Sequence, residues 1–399
     1  MLAPSEGLGG GIERYLGTVE TLLESGGAVV RRVDLRGPGT PIGPAARLRF
    51  TVTALRTASR AGPFGAVLTG HPSLIPVAAA AATVARARRG PVIFHGIDIW
   101  GRRRIGKAIL ARHPAMYPVA VSSFSAGALA GAGVLAGSGV APVLHPGIAP
   151  AWRAALLESG IDRPHRTAAP IPTLLSVFRL NFAEWEGKGL RELLAALPEV
   201  RRRVGPVRLV IAGRGPANES LRQVIAGHED VELLESPDDA TLARLYGTAD
   251  LFALCTRTRP PHSGEGYGIV LIEAQLAGCP VVAPASGGSR DAYVEGLTGT
   301  SPADESPEAL AAVLTDLLTD RDRLARLGRA AAEWARTATN PDEHMKAVFT
   351  AVLGIPRPTS DSAPAWRDGQ AEAVPPMPPA RPEAEATLGY RTTSLVGDA

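Results

Sequence analysis

Two carboxylates framed by glycines are the residues whose types and spacing first suggest chemistry. In SGEGYGIVLIEAQLAGCPVVAPASGG (263–288), Glu265 and Glu273 have seven residues between them, and Gly266, Tyr267 and Gly268 directly follow the first. Glycine lets backbone approach a ligand closely. A helix beginning near Tyr267 would aim its free N–H groups at an anion. Glu273, two turns further on, shares a face with the helix start and could accept two hydrogen bonds from a ribose diol. Two glutamates at this separation, taken alone, describe a solvated helix face. The surrounding glycines and the strand after them shift the balance towards a site.

A second cluster is cationic. In SVFRLNFAEWEGKGLRELLAAL (176–197), a strand ends in Arg179 and a loop leads to Lys188 at the start of an amphipathic helix. Two cations at the C-terminal edge of a parallel sheet stand where phosphate ligands bind. Near the start, GLGGGIE (7–13) brings Gly10 and Gly11 to the head of a helix, and FHGIDIWG (94–101) sets His95 and Asp98 just after a strand. The glycine run could equally form a turn, and His95 could be a structural histidine.

The elements that must position these groups alternate regularly. AVVRRVD (28–34), GAVLTG (65–70), PVIFHG (91–96) and PVAVSS (118–123) are separated by Ala- and Leu-rich helical patterns, the βαβ signature of a parallel sheet. The Pro-rich GIDRPHRTAAPIP (160–172) reads as a linker. The rhythm then resumes through TLLSVF (173–178), VRLVIAG (207–213), VELLES (231–236), DLFALC (250–255) and PVVAPA (280–285). The expected organisation is a Rossmann-like lobe at 1–165, a second at 166–340, a terminal helix at 341–354 that can cross back to the first lobe, and a disordered Pro-rich tail at 355–399. One irregularity stands at the start: Met1 lies directly before the Gly-rich turn, so the first strand is expected to be missing, which places the true start upstream or leaves the N-terminal sheet short of a member.

The stretch 263–288 resembles the Glu-x7-Glu segment of the family 4 retaining glycosyltransferases over more than twenty residues, and LVIAGRGP (209–216), VAVSSFSAGAL (119–129) and VLHPGIAPAW (143–152) are similar to further family segments. The resemblance implies an α/β fold of the GT-B class, with two Rossmann-like domains facing across a cleft and the nucleotide on the C-terminal one. It implies that Glu265 contacts hydroxyls of the donor hexose, that Glu273 binds the ribose, and that the loop with Gly287 and Gly288 lies against the nucleotide. Arg179 and Lys188 would hold the donor diphosphate, Gly10 and Gly11 would lie near the phosphate or reacting centre, and His95 near the transferred sugar. Cleaving the anomeric bond puts negative charge on the diphosphate, and fixed cations stabilise that departure. A metal is then redundant, and none is expected. After Ser289 the family's usual continuation is altered at Arg290, whereas Asp291 keeps the charge.

The expected activity is transfer of a hexose, with retention, from a nucleoside diphosphate sugar to a glycan, a lipid-linked or a small-molecule acceptor, with no cofactor beyond the donor. A sugar nucleotide epimerase and a catalytically inactive sugar nucleotide binding protein are the alternatives. A nicotinamide-dependent oxidoreductase is disfavoured, since no strand feeds a G-x-G-x-x-G turn followed by an acidic residue at the needed distance.

Composition agrees with this reading. The 399 residues suit two domains, and 45% hydrophobic with 20% charged residues can form a real core. A net charge of +3 suits anionic phosphates or lipid head groups and is far from a nucleic-acid signature. Cys255 and Cys279 have no metal-ligand spacing, which fits a reducing cytoplasm. The longest apolar run, Leu74 to Ala85, contains Pro76 and is too short to cross a bilayer. The stretch GRRRIGKAILAR (101–112) reads either as a solvated helix face or as a peripheral contact with an anionic membrane at its inner face.

Overall fold

A computed structural model of the chain describes residues 1–5, 10–37, 41–100, 104–133, 140–161, 171–180, 183–259 and 264–354. Gly7, Gly9, Arg102, Arg103, the linker residues 162–170 and the tail 355–399 lie outside the described residues.

The first half runs β1 (Leu2–Ala3), α1 (Gly11–Ser25), β2 (Val33–Asp34), α2 (Pro44–Ala61), α3 (Ile75–Val84), β3 (Gly90–Phe94), α4 (Arg104–Arg112), β4 (Met116–Ala120), α5 (Ser123–Gly131) and α6 (Pro150–Ser159). The second runs β5 (Thr173–Val177), α7 (Leu190–Val204), β6 (Arg208–Gly213), α8 (Glu219–Ile225), β7 (Val231–Glu235), α9 (Asp239–Thr248), β8 (Leu251–Ala253), α10 (Ile269–Leu276), β9 (Val281–Val282), β10 (Gly299–Thr300), α11 (Pro307–Thr319), α12 (Arg321–Ala338) and α13 (Pro341–Leu353).

The C-terminal sheet has the order β10-β9-β8-β5-β6-β7, with every neighbouring pair parallel. Its connections reverse direction between β5 and β8, and in such sheets ligands bind in the crevice outside the carboxyl ends of the strands at that point. The central strands β5 and β6 are buried on both faces, as helices on each side require. Helix starts follow their capping residues: Asn218, Asp238, Ser306 and Asn340 each accept from a backbone N–H in the first turn of α8, α9, α11 and α13.

The N-terminal sheet corrects one expectation: its opening strand is present. Leu2–Ala3 pairs in parallel with Val33–Asp34, Leu2 N–H donates to the Leu68 carbonyl, and Gly70 N–H donates to the Leu2 carbonyl, both at 2.8 Å. Met1–Ala3 contains no β-branched residue, so propensity did not mark it; pairing on both sides makes it a strand. The 66–69 segment completes the sheet through bridges to Leu2, Arg89 and Val92, and Val143 bridges to Ala120 beyond β4.

Two helices tie the halves together. Helix α6 packs on α9 and α10, while α13 packs on α1 and β3. One continuous apolar core accordingly includes Tyr15, Leu16 and Ile93 together with Phe252, Leu271 and Val348.

Candidate active site

The loops that leave β5 and β8 meet at the switch point of the C-terminal sheet. From the β5 side, the chain passes Arg179 and a 3-10 turn ending at Lys188, then enters α7 through Gly189. Gly189 has φ +71°, and a Cβ there would lie 1.9 Å from the Cys255 carbonyl oxygen. Only glycine allows this turn and this contact, and the contact holds Lys188 beside the β8 loop. Lys188 Nζ donates to Glu265 Oε2 at 3.1 Å, and Thr256 Oγ1 donates to the same oxygen at 3.1 Å. Thr256 is buried, whereas Lys188 and Glu265 keep part of their side chains accessible. Lys188 and the first glutamate therefore form one unit. Arg179 is exposed, and its guanidinium lies against Gly10, where an added Cβ would be 3.6 Å from Nη1. Gly11, the first residue of α1, has open space above it.

The loop carrying Glu265 touches the N-terminal lobe directly. A Cβ on Gly266 would fall 1.8 Å from the His95 carbonyl oxygen, and one on Gly288 would fall 2.0 Å from the Gly266 carbonyl oxygen. Gly288 N–H donates to the Glu265 carbonyl at 2.8 Å, and Gly287 lies against Thr258. Three backbones thus stack at van der Waals distance, which is what these glycines are for. Tyr267 is buried and its ring stacks on His145, with centroids 5.2 Å apart. Gly268 caps α10, whose first helical residue is Ile269, two positions later than expected.

His95 Nε2 lies 2.8 Å from the Gly70 carbonyl oxygen, and its ring meets Tyr15 edge-on. Burial pushes its pKa down, so the ring is neutral. A carbonyl only accepts, so Nε2 carries the proton and Nδ1 is left as an acceptor. Asp98 accepts from the His95 backbone N–H and fixes the turn after β3.

Glu273 stands apart from the Lys188–Glu265 pair. It is 1% exposed. Oε1 accepts from Arg14 Nη1 at 2.8 Å and from Trp152 Nε1 at 2.9 Å, and Oε2 accepts from the Tyr246 hydroxyl at 2.9 Å. Burial first, and Glu273 second, raise the Tyr246 pKa well above the ordinary phenol value, so it remains a donor. Both carboxylate oxygens are engaged, and a ribose diol reaching Glu273 would have to displace Tyr246 or share its oxygen. Arg14, Trp152, Tyr246 and Thr256 escaped the sequence reading, because each comes from a different helix or strand end and none lies in a Gly-flanked motif.

A further contact between lobes uses Asp291. Asp291 Oδ2 accepts from Ser123 N–H at 2.6 Å, at the N-terminus of α5, and pairs with His145 Nε2 at 3.0 Å. Burial opposes the charge, yet these bonds hold the Asp291 carboxyl below the usual range. Among the described residues, no three His, Cys, Asp or Glu side chains gather in a way that could hold a metal ion.

Residues 168–334, which supply β5 to α12 and with them Lys188, Glu265 and Glu273, match the family model of glycosyl transferases group 1. The chain is 37% identical over 169 residues to a GDP-mannose-dependent alpha-(1-6)-phosphatidylinositol monomannoside mannosyltransferase of Mycobacterium tuberculosis, covering 41% of this chain and 42% of that protein. It is 36% identical over 177 residues to a D-inositol 3-phosphate glycosyltransferase of Thermobispora bispora, covering 40% and 38%. The matched stretch thus spans less than half the length of these relatives. Among solved structures, Anabaena Alr3699/HepE in complex with UDP-glucose superposes with a TM-score of 0.66 at 19% identity, over 89% of this chain and 99% of that one. WaaG, a glycosyltransferase involved in lipopolysaccharide biosynthesis, superposes with a TM-score of 0.62 at 16% identity, over 87% and 99%. At such identities the likeness shows the fold, which is GT-B, and over residues 168–334 the chain is similar to the glycosyl transferases group 1.

Proposed function

We propose that the protein is a glycosyltransferase that takes a hexose from a nucleoside diphosphate sugar bound on residues 166–340 and passes it, with retention, to an acceptor held by residues 1–165. The observation that carries this reading is the Lys188–Glu265 pair at the switch point, set against the N-terminal lobe through Gly266 and His95. Lys188 and Arg179 supply positive charge for the departing diphosphate, and Glu265 is placed for hydroxyls of the hexose. His95, neutral and fixed by Gly70, orients the sugar from the facing lobe. Gly11 leaves room for phosphate beside Gly10 and the Arg179 guanidinium, Gly287 and Gly288 pack the loop that would lie against the nucleotide onto Thr258 and Gly266, and Tyr267 with Gly268 shapes the turn between them. Glu273 takes the ribose by exchange with its present partners.

In the transfer step, the bond between the anomeric carbon and the diphosphate oxygen breaks with its electron pair going to the diphosphate. The acceptor hydroxyl attacks from the same face, and its proton passes to the departing phosphate oxygen. The charge is carried by side chains, so no metal is required. Mannose from GDP-mannose is the first donor to test, because one relative is named for it; glycans, lipid-linked and small-molecule acceptors complete the panel. No helix of the described residues is long and apolar enough to cross a membrane, and the reading places the protein in the cytoplasm.

The test is a transfer assay over GDP- and UDP-sugars, with the product's anomeric configuration read by NMR. A product with the donor's configuration supports the reading, and an inverted product or a trapped glycosyl-enzyme adduct opposes it. The saturated carboxylate of Glu273 favours a second reading, a sugar nucleotide binding protein without turnover; binding with no product for any acceptor would select it.

A further inference from the structure

One carboxylate outside the glycine-rich motifs reaches the loops around Lys188 and Glu265. Glu305 lies on the connection from β10 to α11 and is partly buried. Its Oε1 accepts from the Thr258 backbone N–H at 2.7 Å and from the Ser286 hydroxyl at 3.3 Å. Its Oε2 lies 3.6 Å from Arg257 Nε. Arg257 in turn pairs through Nη1 with Glu192 in the first turn of α7, and its backbone N–H donates to the Gly187 carbonyl at 2.9 Å.

These bonds close on Lys188 from both sides. Gly187 before it is held by the Arg257 N–H, and Gly189 after it packs on the Cys255 carbonyl. Thr256, between Cys255 and Arg257, donates to Glu265. Thr258 Oγ1 donates to the Ser286 carbonyl at 3.0 Å, and Gly288 N–H donates to the Glu265 carbonyl. The segment 255–258 therefore carries contacts of both Lys188 and Glu265, and Glu305 fixes its outer end.

The plainer roles for Glu305 are already filled. Helix α11 is capped by Ser306, whose hydroxyl accepts from the Ala309 N–H, and Asp304 accepts from the Ser306 N–H. An exposed ion pair alone contributes little. Glu305 instead accepts from a backbone N–H and a hydroxyl on two different loops, and hydrogen bonds to a charged acceptor are the strong ones. The Arg257 charge is met by Glu192 and by Glu305, so its side chain serves as a tether between loops. Groups that act on a reacting centre must be held to within about 0.5 Å, and supporting hydrogen bonds of this kind do that. Resting on the proposed function, we infer that Glu305 is a positioning residue of the transfer reaction: through Thr258, Ser286 and the Arg257–Glu192 pair, it holds the loops that present Lys188 to the diphosphate and Glu265 to the hexose.

The test is titration calorimetry of the full chain with GDP and UDP, together with turnover of the corresponding sugar nucleotides, in Glu305→Ala, Glu305→Gln, Lys188→Ala and Lys188→Ala/Glu305→Ala. Glu308→Gln, exposed in the first turn of α11, is the control and should match wild type. Glu305→Ala should weaken the nucleotide about tenfold, the worth of one charged hydrogen bond, and lower transfer about 10²-fold through misplacement of the reacting groups. Glu305→Gln keeps an acceptor for the Thr258 N–H and loses the charge facing Arg257, so it should fall between, and it carries the comparison should Glu305→Ala fail to fold. With Lys188 already removed, Glu305→Ala should weaken the nucleotide by no more than about twofold, because the effect runs through Lys188. A merely structural role would give the same loss in both backgrounds, and that result, or Glu305→Ala and Glu305→Gln behaving like wild type, would overturn the inference. If Lys188→Ala loses nucleotide while the Glu305 variants do not, the inference alone fails. If the wild type binds no nucleotide, or Lys188→Ala binds like wild type, the donor-site reading fails and takes the inference with it.

Discussion

Arg14 and Glu273 are 259 residues apart in the chain and 2.8 Å apart in the fold. The first stands in the first turn of α1 in the N-terminal lobe, the second within α10 of the opposite lobe. Trp152 joins them, donating to the same oxygen of Glu273 and lying under the Arg14 guanidinium. A buried carboxylate that loses its cation is costly, by about 3–5 kcal/mol in fully buried pairs. Arg14 keeps about a quarter of its side chain in water, so Arg14→Met should cost less, about 2 kcal/mol. Urea denaturation of Arg14→Met, Glu273→Gln and the double variant should give a coupling energy of about 1–3 kcal/mol. Strict additivity would mean that the pair does not hold the lobes.

Lys188→Ala and Glu265→Gln should each lower kcat/KM for transfer by about 10²- to 10³-fold, the usual cost of removing one preorganised electrostatic partner. Lys188→Ala should also weaken the free nucleoside diphosphate, whereas Glu265→Gln should leave it nearly unchanged, since the free nucleotide has no hexose. Titration calorimetry with the nucleotide and rate measurements with the sugar nucleotide separate the two effects.

Gly266→Ala places a methyl group 1.8 Å from the His95 carbonyl oxygen, so the two lobes must part. Overpacking of this kind costs about 1–3 kcal/mol, and a displacement of about 1 Å at a reacting centre can cost about 10²-fold in rate. We expect lower thermal stability and a large loss of transfer. Gly11→Ala, where the added methyl meets open space, should be mild in the same assays.

His344 on α13 provides a pH test away from the site. Its Nε2 is buried with no partner, burial first and His145 second push its pKa down to about 4, and its ring fills the space above Gly147. The folded state therefore prefers the neutral ring, while an unfolded histidine titrates near 6.5. Stability should be full above about pH 6.5 and fall as pH drops towards 4, by about 3 kcal/mol in total, with a flat region below. His344→Gln should remove most of that slope in denaturation curves recorded across this window.

Much of the Lys188–Glu265 cluster was legible in the sequence because its parts are local. The glycines, Lys188 and Glu265 belong to motifs in which a strand end, a turn and a helix start follow within about ten residues, and the parallel sheet brings those turns together. The opening strand was not legible: Leu2–Ala3 has no β propensity and exists through its hydrogen bonds to Leu68 and Gly70. The partners of Glu273 were hidden for a related reason. Arg14, Trp152 and Tyr246 converge from three helices, and no spacing along the chain encodes that meeting. The contacts of Asp291 were hidden too, since its unusual setting in SRD was visible but its partners, Ser123 and His145, lie in the other lobe.

The most direct test of the central claim is titration of wild type and Lys188→Ala with GDP and UDP, followed by thermal shift. The account predicts that one nucleotide stabilises the wild type, by about 2.7 kcal/mol at a hundred times its dissociation constant, and that Lys188→Ala removes most of that shift. An unchanged shift in Lys188→Ala, or no shift with any nucleotide in the wild type, would contradict a donor site at the Lys188–Glu265 pair.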